Sequence, residues 1–248
     1  MTRAVLAALC WLDRKCRAAA IRLNGGIHPK HNVGDDRHRW WSRHVRGGRV
    51  LDLGCGTGAH AVLASRTGAR IVVGLDTDQA ALKIADARGA RHCFFAVWDA
   101  THPVPSDYDG KFGLVLCLDV LEHVEDRAAL LGVARGALAT DGVLALTAPN
   151  RETTWRRRLR AAGLDARYDA DHRIEYVWDE LEGELKDSGF RVVERLPIVY
   201  DDGPVTGLKD LLGAVWPAWY RQEMARRVAR AYKRPEESKG WAVIAEVA

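Results

Sequence analysis

Paired cysteines, membrane-length hydrophobic runs, internal repeats and a strong excess of one charge are all missing from this 248-residue chain. Its five cysteines are odd in number and lack paired spacing, which argues against a disulfide framework. Cys55 lies in a glycine-rich stretch and Cys93 and Cys117 in apolar runs, so they read as reduced, small core residues, and the expected location is cytoplasmic. The apolar run Ala4 to Leu12 is too short to span a bilayer. Asp13, Arg14, Lys15 and Arg17 follow it and precede the only small-residue tract, Ala18 to Ala20, which argues against an export signal. Val5, Leu6, Leu9, Leu12 and Cys16 keep helical spacing instead, giving an amphipathic helix that either covers the fold or rests its basic face on an anionic membrane surface. A net charge of +4 is mild, permitting an anionic substrate without demanding a nucleic acid. With 48% hydrophobic residues the chain can bury a substantial core, and one domain over residues 1–248 is expected.

What is present begins with Val50-Leu51-Asp52-Leu53-Gly54-Cys55-Gly56-Thr57-Gly58, a buried strand running into three closely spaced glycines. Such a turn lets a ligand approach bare backbone. Gly54, Gly56 and Ala59 also satisfy the dinucleotide fingerprint, but Asp52 would repel a diphosphate and suits a ligand carrying an ammonium and a sulfonium. That points to S-adenosylmethionine. About 20 residues on, the run Ile71 to Leu75 ends in Asp76, placed to accept from both ribose hydroxyls. A third run, Cys93 to Val97, leads to Asp99, a candidate acceptor for the adenine amino group. Thr77, Ala100 and Leu118 complete the cofactor positions at the strand ends.

These residues resemble those of the class I S-adenosylmethionine-dependent methyltransferases over roughly residues 48–200. The resemblance implies an α/β, doubly wound, Rossmann-like sheet with a final antiparallel strand, which Gly240 to Val247 would supply. Strands are predicted near 49–53, 70–75, 92–97, 112–118 and 142–147, with Phe190 to Tyr200 and Gly240 to Val247 completing the sheet. Outside this plan stand an N-terminal segment, residues 1–48, and two helical cap insertions, 150–171 and 201–239, where such folds build substrate walls.

A second constellation follows the fourth strand. Asp119, Glu122 and His123 have the i, i+3, i+4 spacing of one face of a helix start, at the carboxyl edge of the sheet. With His172 they look like the Glu-x-x-Glu-His motif and distant histidine of small-RNA terminal 2′-O-methyltransferases, which implies a site for magnesium or manganese. Asp119 stands where that family has glutamate, one methylene longer. Similar motifs occur in ubiquinone-pathway O-methyltransferases. In the plainer reading His123 is a metal-free general base and His172 caps the following helix.

The acceptor is read from a further resemblance. Asn24-Gly25-Gly26-Ile27-His28-Pro29-Lys30-His31 and Asp171 to Tyr176 look like segments of bacterial methyltransferases of polysaccharide and glycan assembly. That implies O-methylation of a saccharide, with His28, Lys30 and His31 closing over the cofactor or acceptor. Trp155 with its neighbouring arginines, and Trp216, Trp219 and Tyr220 with Arg221, Arg226, Arg227 and Arg230, either stack on sugars or form core and solvated faces. The other readings are methylation of an RNA terminus, methylation of an aromatic or quinone precursor, and a cofactor-binding scaffold without catalysis.

Overall fold

Seven strands alternate with helices along the chain: β1 (Arg49–Leu53), β2 (Ile71–Asp76), β3 (Cys93–Val97), β4 (Phe112–Cys117), β5 (Leu138–Pro149), β6 (Phe190–Pro197) and β7 (Gly240–Val247). The helices are α1 (Arg3–Leu23), α2 (Arg39–Ser42), α3 (Ala59–Arg66), α4 (Gln79–Ala87), α5 (Arg127–Ala137), α6 (Thr154–Ala161), α7 (Trp178–Asp187), α8 (Thr206–Val215) and α9 (Pro217–Lys233). The computed structural model describes residues 1–25, 28–29 and 39–248. Within them the chain divides into two compact units, one of residues 38–149, 171–195 and 241–248, the other of 1–37, 150–170 and 196–240.

The first unit carries the sheet, ordered β3-β2-β1-β4-β5-β7-β6. Neighbours from β3 to β5 pair in parallel, and the final strands are antiparallel. This is the doubly wound class I methyltransferase plan expected from the glycine turn and the strand spacing. Parallel strands covered on both faces need continuous apolar runs, and Val50, Leu51, Leu53, Leu114, Val115 and Leu116 are each fully buried. The two faces make separate cores, one around Leu51, Phe112, Leu146 and Tyr176, the other around Trp41, Val50, Leu116 and Ile244.

β5 departs from the expected 142–147 by starting at Leu138, directly after α5. The pairing with β4 slips between Phe112↔Leu138 and Leu114↔Val143, so the exposed Thr140 and Asp141 are passed over. Gly142 sits at the slip because a Cβ there would lie 2.6 Å from the Phe112 carbonyl oxygen.

The second unit gathers three stretches that sequence spacing sets outside the sheet plan. Small apolar cores form around Leu6, Leu159 and Ala166, and around Val199, Tyr220 and Met224. Charge supplies much of the rest. Arg156, 8% exposed, donates to the carbonyls of Ala166 and Arg167, and its guanidinium lies over the Tyr168 ring. The Asp201 carboxylate accepts from Thr153 and Tyr168. Arg227 pairs with Asp202 at 2.8 Å, and Arg230 with both Asp202 and Glu223. The arginines considered above for sugar or anion contacts at 156, 227 and 230 are therefore internal ties. Among the described residues no helix is long and apolar enough to cross a membrane.

Candidate active site

The turn after β1 is built on backbone that only glycine adopts freely. Gly54, Gly56 and Gly58 all have positive φ. A Cβ on Gly54 would meet Val120 at 2.4 Å, and one on Gly58 would meet Ala85 and Phe95, whereas nothing lies within 4 Å of the Gly56 position. The loop is thus pinned at both ends and open in the middle. Asp76, at the tip of β2, closes it: Oδ2 accepts from the Gly56 N–H at 2.7 Å and Oδ1 from the Asp78 N–H at 2.8 Å. Gly74, one strand residue that spacing alone overlooked, leaves room for Phe95 and Cys55, which would sit 2.6 and 2.9 Å from its Cβ. A glycine inside a strand pattern is the signal for such an approach.

Asp52 lies in β1 two residues before the loop, 1% exposed, with Oδ2 lacking a hydrogen-bond partner. Burial, reinforced by the nearby Asp76 carboxylate, pushes its pKa up to about 8. A buried acid with an orphaned oxygen beside bare backbone fits a cationic ligand, so the residues present fit S-adenosylmethionine. Asp99 stands exposed beyond β3, where bonds from the Thr101 N–H and hydroxyl hold its carboxyl below the usual range. Thr77 is exposed, Ala100 half-buried and Leu118 buried. His31 and Lys30 lie outside the described residues. His28 is described, in the second unit, where Nε2 lies 3.2 Å from Asp210.

The expected helix face after β4 does not form. Asp119 takes φ 57°, and Leu121–His123 is a single 3-10 turn. Thr147 on β5 explains the break: its hydroxyl accepts from the Asp119 N–H at 2.7 Å and donates to Oδ1 at 2.8 Å, holding the left-handed kink. The set that converges is Glu122, His123 and His172, whose ligand atoms all lie within 4.8 Å of one another, and Asp119 is not part of it.

Backbone bonds bring His172 there. The Glu122 carbonyl accepts from Arg173 N–H at 2.8 Å, and Arg173 Nε donates to the His123 carbonyl. The two imidazoles stand edge to face with centroids 4.9 Å apart, His123 exposed and His172 buried. His172 does not cap α7, whose N-cap is Val177. Instead its Nδ1 lies 2.7 Å from Oε1 of the buried Glu175, a contact that fixes the orientation of the ring. Glu175 is the residue that motif reading passed over; its i+3 spacing from His172 was the available signal.

Residues 27–195 match the family model of a methyltransferase domain. The chain belongs to this methyltransferase family. Its curated relatives include the ubiquinone biosynthesis O-methyltransferase of Histophilus somni, 28% identical over 52% of this chain and 57% of the relative. That of Bradyrhizobium diazoefficiens is 27% identical over 77% of this chain and 79% of the relative. Against most of these relatives the match spans about half of their length. Among solved structures, an S-adenosylmethionine-dependent methyltransferase from Mesorhizobium loti aligns with TM-score 0.56 at 20% identity, over 82% of this chain and 92% of that one. The geranyl diphosphate C-methyltransferase of Streptomyces coelicolor aligns with TM-score 0.58 at 15% identity, over 85% and 79%. These structures share the fold. The relatives overturn the saccharide reading, since those matched act, by name, in ubiquinone biosynthesis.

Proposed function

We propose that this methyltransferase transfers the methyl group of S-adenosylmethionine to a hydroxyl of a small aromatic acceptor of the quinone-precursor kind. The observation that carries the reading is the convergence of Glu122, His123 and His172 at the carboxyl edge of the sheet, after β4. The names of the relatives supply the acceptor class.

The cofactor, when bound, supplies an already activated methyl on a sulfonium sulfur. Asp52 would balance its positive charge, Gly54, Gly56 and Gly58 would admit it to the backbone, Asp76 would accept from its ribose, and Thr77, Asp99, Ala100 and Leu118 would complete its site. An exposed His123 accepts the phenolic proton as the oxygen attacks. His172, oriented by Glu175, stands beside His123 with ring centroids 4.9 Å apart.

In the alternative arrangement Glu122, His123 and His172 would hold a divalent cation, magnesium or manganese, and His123, its lone pair then taken by the ion, would not be the base. Donors bound at about 2.1 Å to one ion lie at most about 4.2 Å apart, so small side-chain rotations from the 4.8 Å set would seat it. Its chemistry there would be to acidify a hydroxyl and fix two adjacent oxygens.

The test is transfer of labelled methyl from S-adenosylmethionine to a catechol and to the matching monophenol, with manganese or magnesium and after chelation by EDTA. Label on one catechol oxygen is expected, lost on chelation if the cation is held. Protein that binds the cofactor yet labels neither phenol overturns the acceptor assignment.

A further inference from the structure

Helices α1 and α8 lie together in the second unit, and both leave an apolar line uncovered. Gly207 joins them: its N–H donates to Asp13 Oδ1 at 2.6 Å, and a Cβ there would stand 2.1 Å from the Asp13 carbonyl oxygen. On α1 the side facing the unit's interior carries Leu6 and Ala20. Val5, Leu12 and Leu23 lie on another line of the helix, seven and eleven residues apart, and are 46%, 52% and 65% exposed. On α8 the buried side carries Thr206, Asp210 and Gly213, while Leu208 and Val215, also seven apart, are exposed, with Trp216 at the helix end 60% exposed.

The flanks of the α1 line are aromatic and cationic. Trp11, Lys15 and Arg22 follow one another along the next stripe, with the Lys15 ammonium 5.6 Å from the Trp11 ring centroid. Arg3 and Arg14 add charge farther round, and Asp13, already bonded to Gly207 and Arg17, is the only acid in the helix. The helix is amphipathic, yet on its outward side leucine and valine meet water. A soluble protein partner of unknown sequence is not called for by cations without acids. An anionic surface with an apolar layer beneath it is.

We propose that the α1–α8 surface docks on an anionic lipid bilayer. In that arrangement α1 lies in the plane of the headgroups, Val5, Leu12, Leu208 and Val215 enter the acyl boundary, and Trp11 and Trp216 sit at the headgroup level. Lys15 and Arg22 meet lipid phosphates. At 21 residues α1 is about 30 Å long, giving an extended line of contact.

Vesicle flotation of the purified chain tests this, using phosphatidylcholine alone and phosphatidylcholine mixed with phosphatidylglycerol. Binding to the anionic vesicles is expected, weakened by added salt, with little binding to phosphatidylcholine alone. The double variant Leu12→Glu/Leu208→Glu should lower anionic-vesicle partitioning at least about tenfold, because two exposed leucines no longer enter the lipid. Lys15→Glu/Arg22→Glu should lower it about tenfold or more through charge. All four side chains are on the surface, so circular dichroism and the melting curve should match the parent. Failure of the parent chain to float with anionic vesicles overturns the proposal, as does undiminished flotation of the leucine variant. Self-association of the parent that the leucine variant abolishes, without vesicle binding, assigns the face to a second copy instead.

Discussion

The two units bury charge for opposite ends. In the sheet unit the buried charged side chains are Asp52, Glu122, His172 and Glu175, and all four stand at the glycine loop or the post-β4 cluster. In the helical unit Arg156, Asp201, Asp210, Glu223, Arg227 and Glu237 are buried, and each bonds a partner from the same unit. Thirty or more buried apolar side chains on two faces of a sheet hold the first unit, and its ion pairs, such as Arg127–Glu184, lie nearer the surface. The second has cores of three buried apolar residues each and relies on ion pairs and hydrogen bonds. Buried charge in the well-packed unit therefore gathers at the candidate site, whereas in the thinly packed one it ties the structure together.

The sharpest break of this contrast is at His123. Replacing this exposed imidazole by alanine should leave folding and cofactor binding intact and lower turnover by about 10²–10⁴-fold. Single-turnover methyl transfer alongside isothermal titration of S-adenosylmethionine checks both halves; unchanged turnover removes His123 from the chemistry. In the helical unit the matching change is Asp201→Ala, which strips the carboxylate from Thr153, Tyr168 and the Arg156 guanidinium. It should cost about 3–5 kcal/mol of stability by leaving buried partners uncompensated, read from urea unfolding, with the sheet unit's cofactor binding preserved in native conditions.

Glu175→Gln probes the boundary between the two uses of charge. The amide keeps the shape but weakens the hold on His172 Nδ1, and a drop of about 10–100-fold in manganese affinity is expected if His172 is a ligand. Titration of the metal against the cofactor-loaded and cofactor-free protein distinguishes this from a packing defect, because a purely structural Glu175 would lower the melting temperature and leave metal affinity in the folded protein unchanged.

Much of the sheet unit is legible in sequence because β1 to β4 each write an apolar run that leads to a glycine turn or to an acid of the candidate site. Predicted and observed strands agree to within one or two residues for β1 to β4 and coincide for β7. β5 is longer than its apolar run because the slip past Thr140 and Asp141 leaves no periodic trace. The post-β4 motif misleads for a related reason: i, i+3, i+4 spacing presumes a helix, and a hydroxyl 28 residues away, on Thr147 of the next strand, kinks Asp119 out of it. Long-range hydrogen bonds of this kind have no local signature. The helical unit is least legible, since its arginines at helical spacing look like a solvated face until Asp201, Asp202 and Glu223 are placed against them. The acceptor was the least legible of all, for the sequence features that recognise a cofactor are shared across acceptors.

The smallest expected effect is also the one that sets the two units directly against each other, through pH. Asp52, in the sheet unit, has its pKa raised to about 8 by burial and by Asp76. The folded protein then holds a proton that the unfolded chain releases near pH 4, so Asp52 contributes stability below that value and loses it as pH rises through 8. Lys239, in the helical unit, has its pKa lowered to about 7 by burial, with Arg227, Arg17 and Arg156 adding to the effect and Asp201 opposing it. Here the unfolded chain binds the proton up to its ordinary value near 10.4, so the native state gains stability as pH rises from about 7 towards that value and loses it as pH falls through 7. Asp52→Asn should flatten the decline of the sheet unit up to about pH 8, and Lys239→Met should remove the gain of the helical unit above about pH 7. Urea midpoints measured from pH 6 to pH 10 for the parent and both variants decide it: slopes of opposite sign, each erased by its own substitution, are expected, and a slope untouched by either means that the buried charge in that unit is compensated in both protonation states.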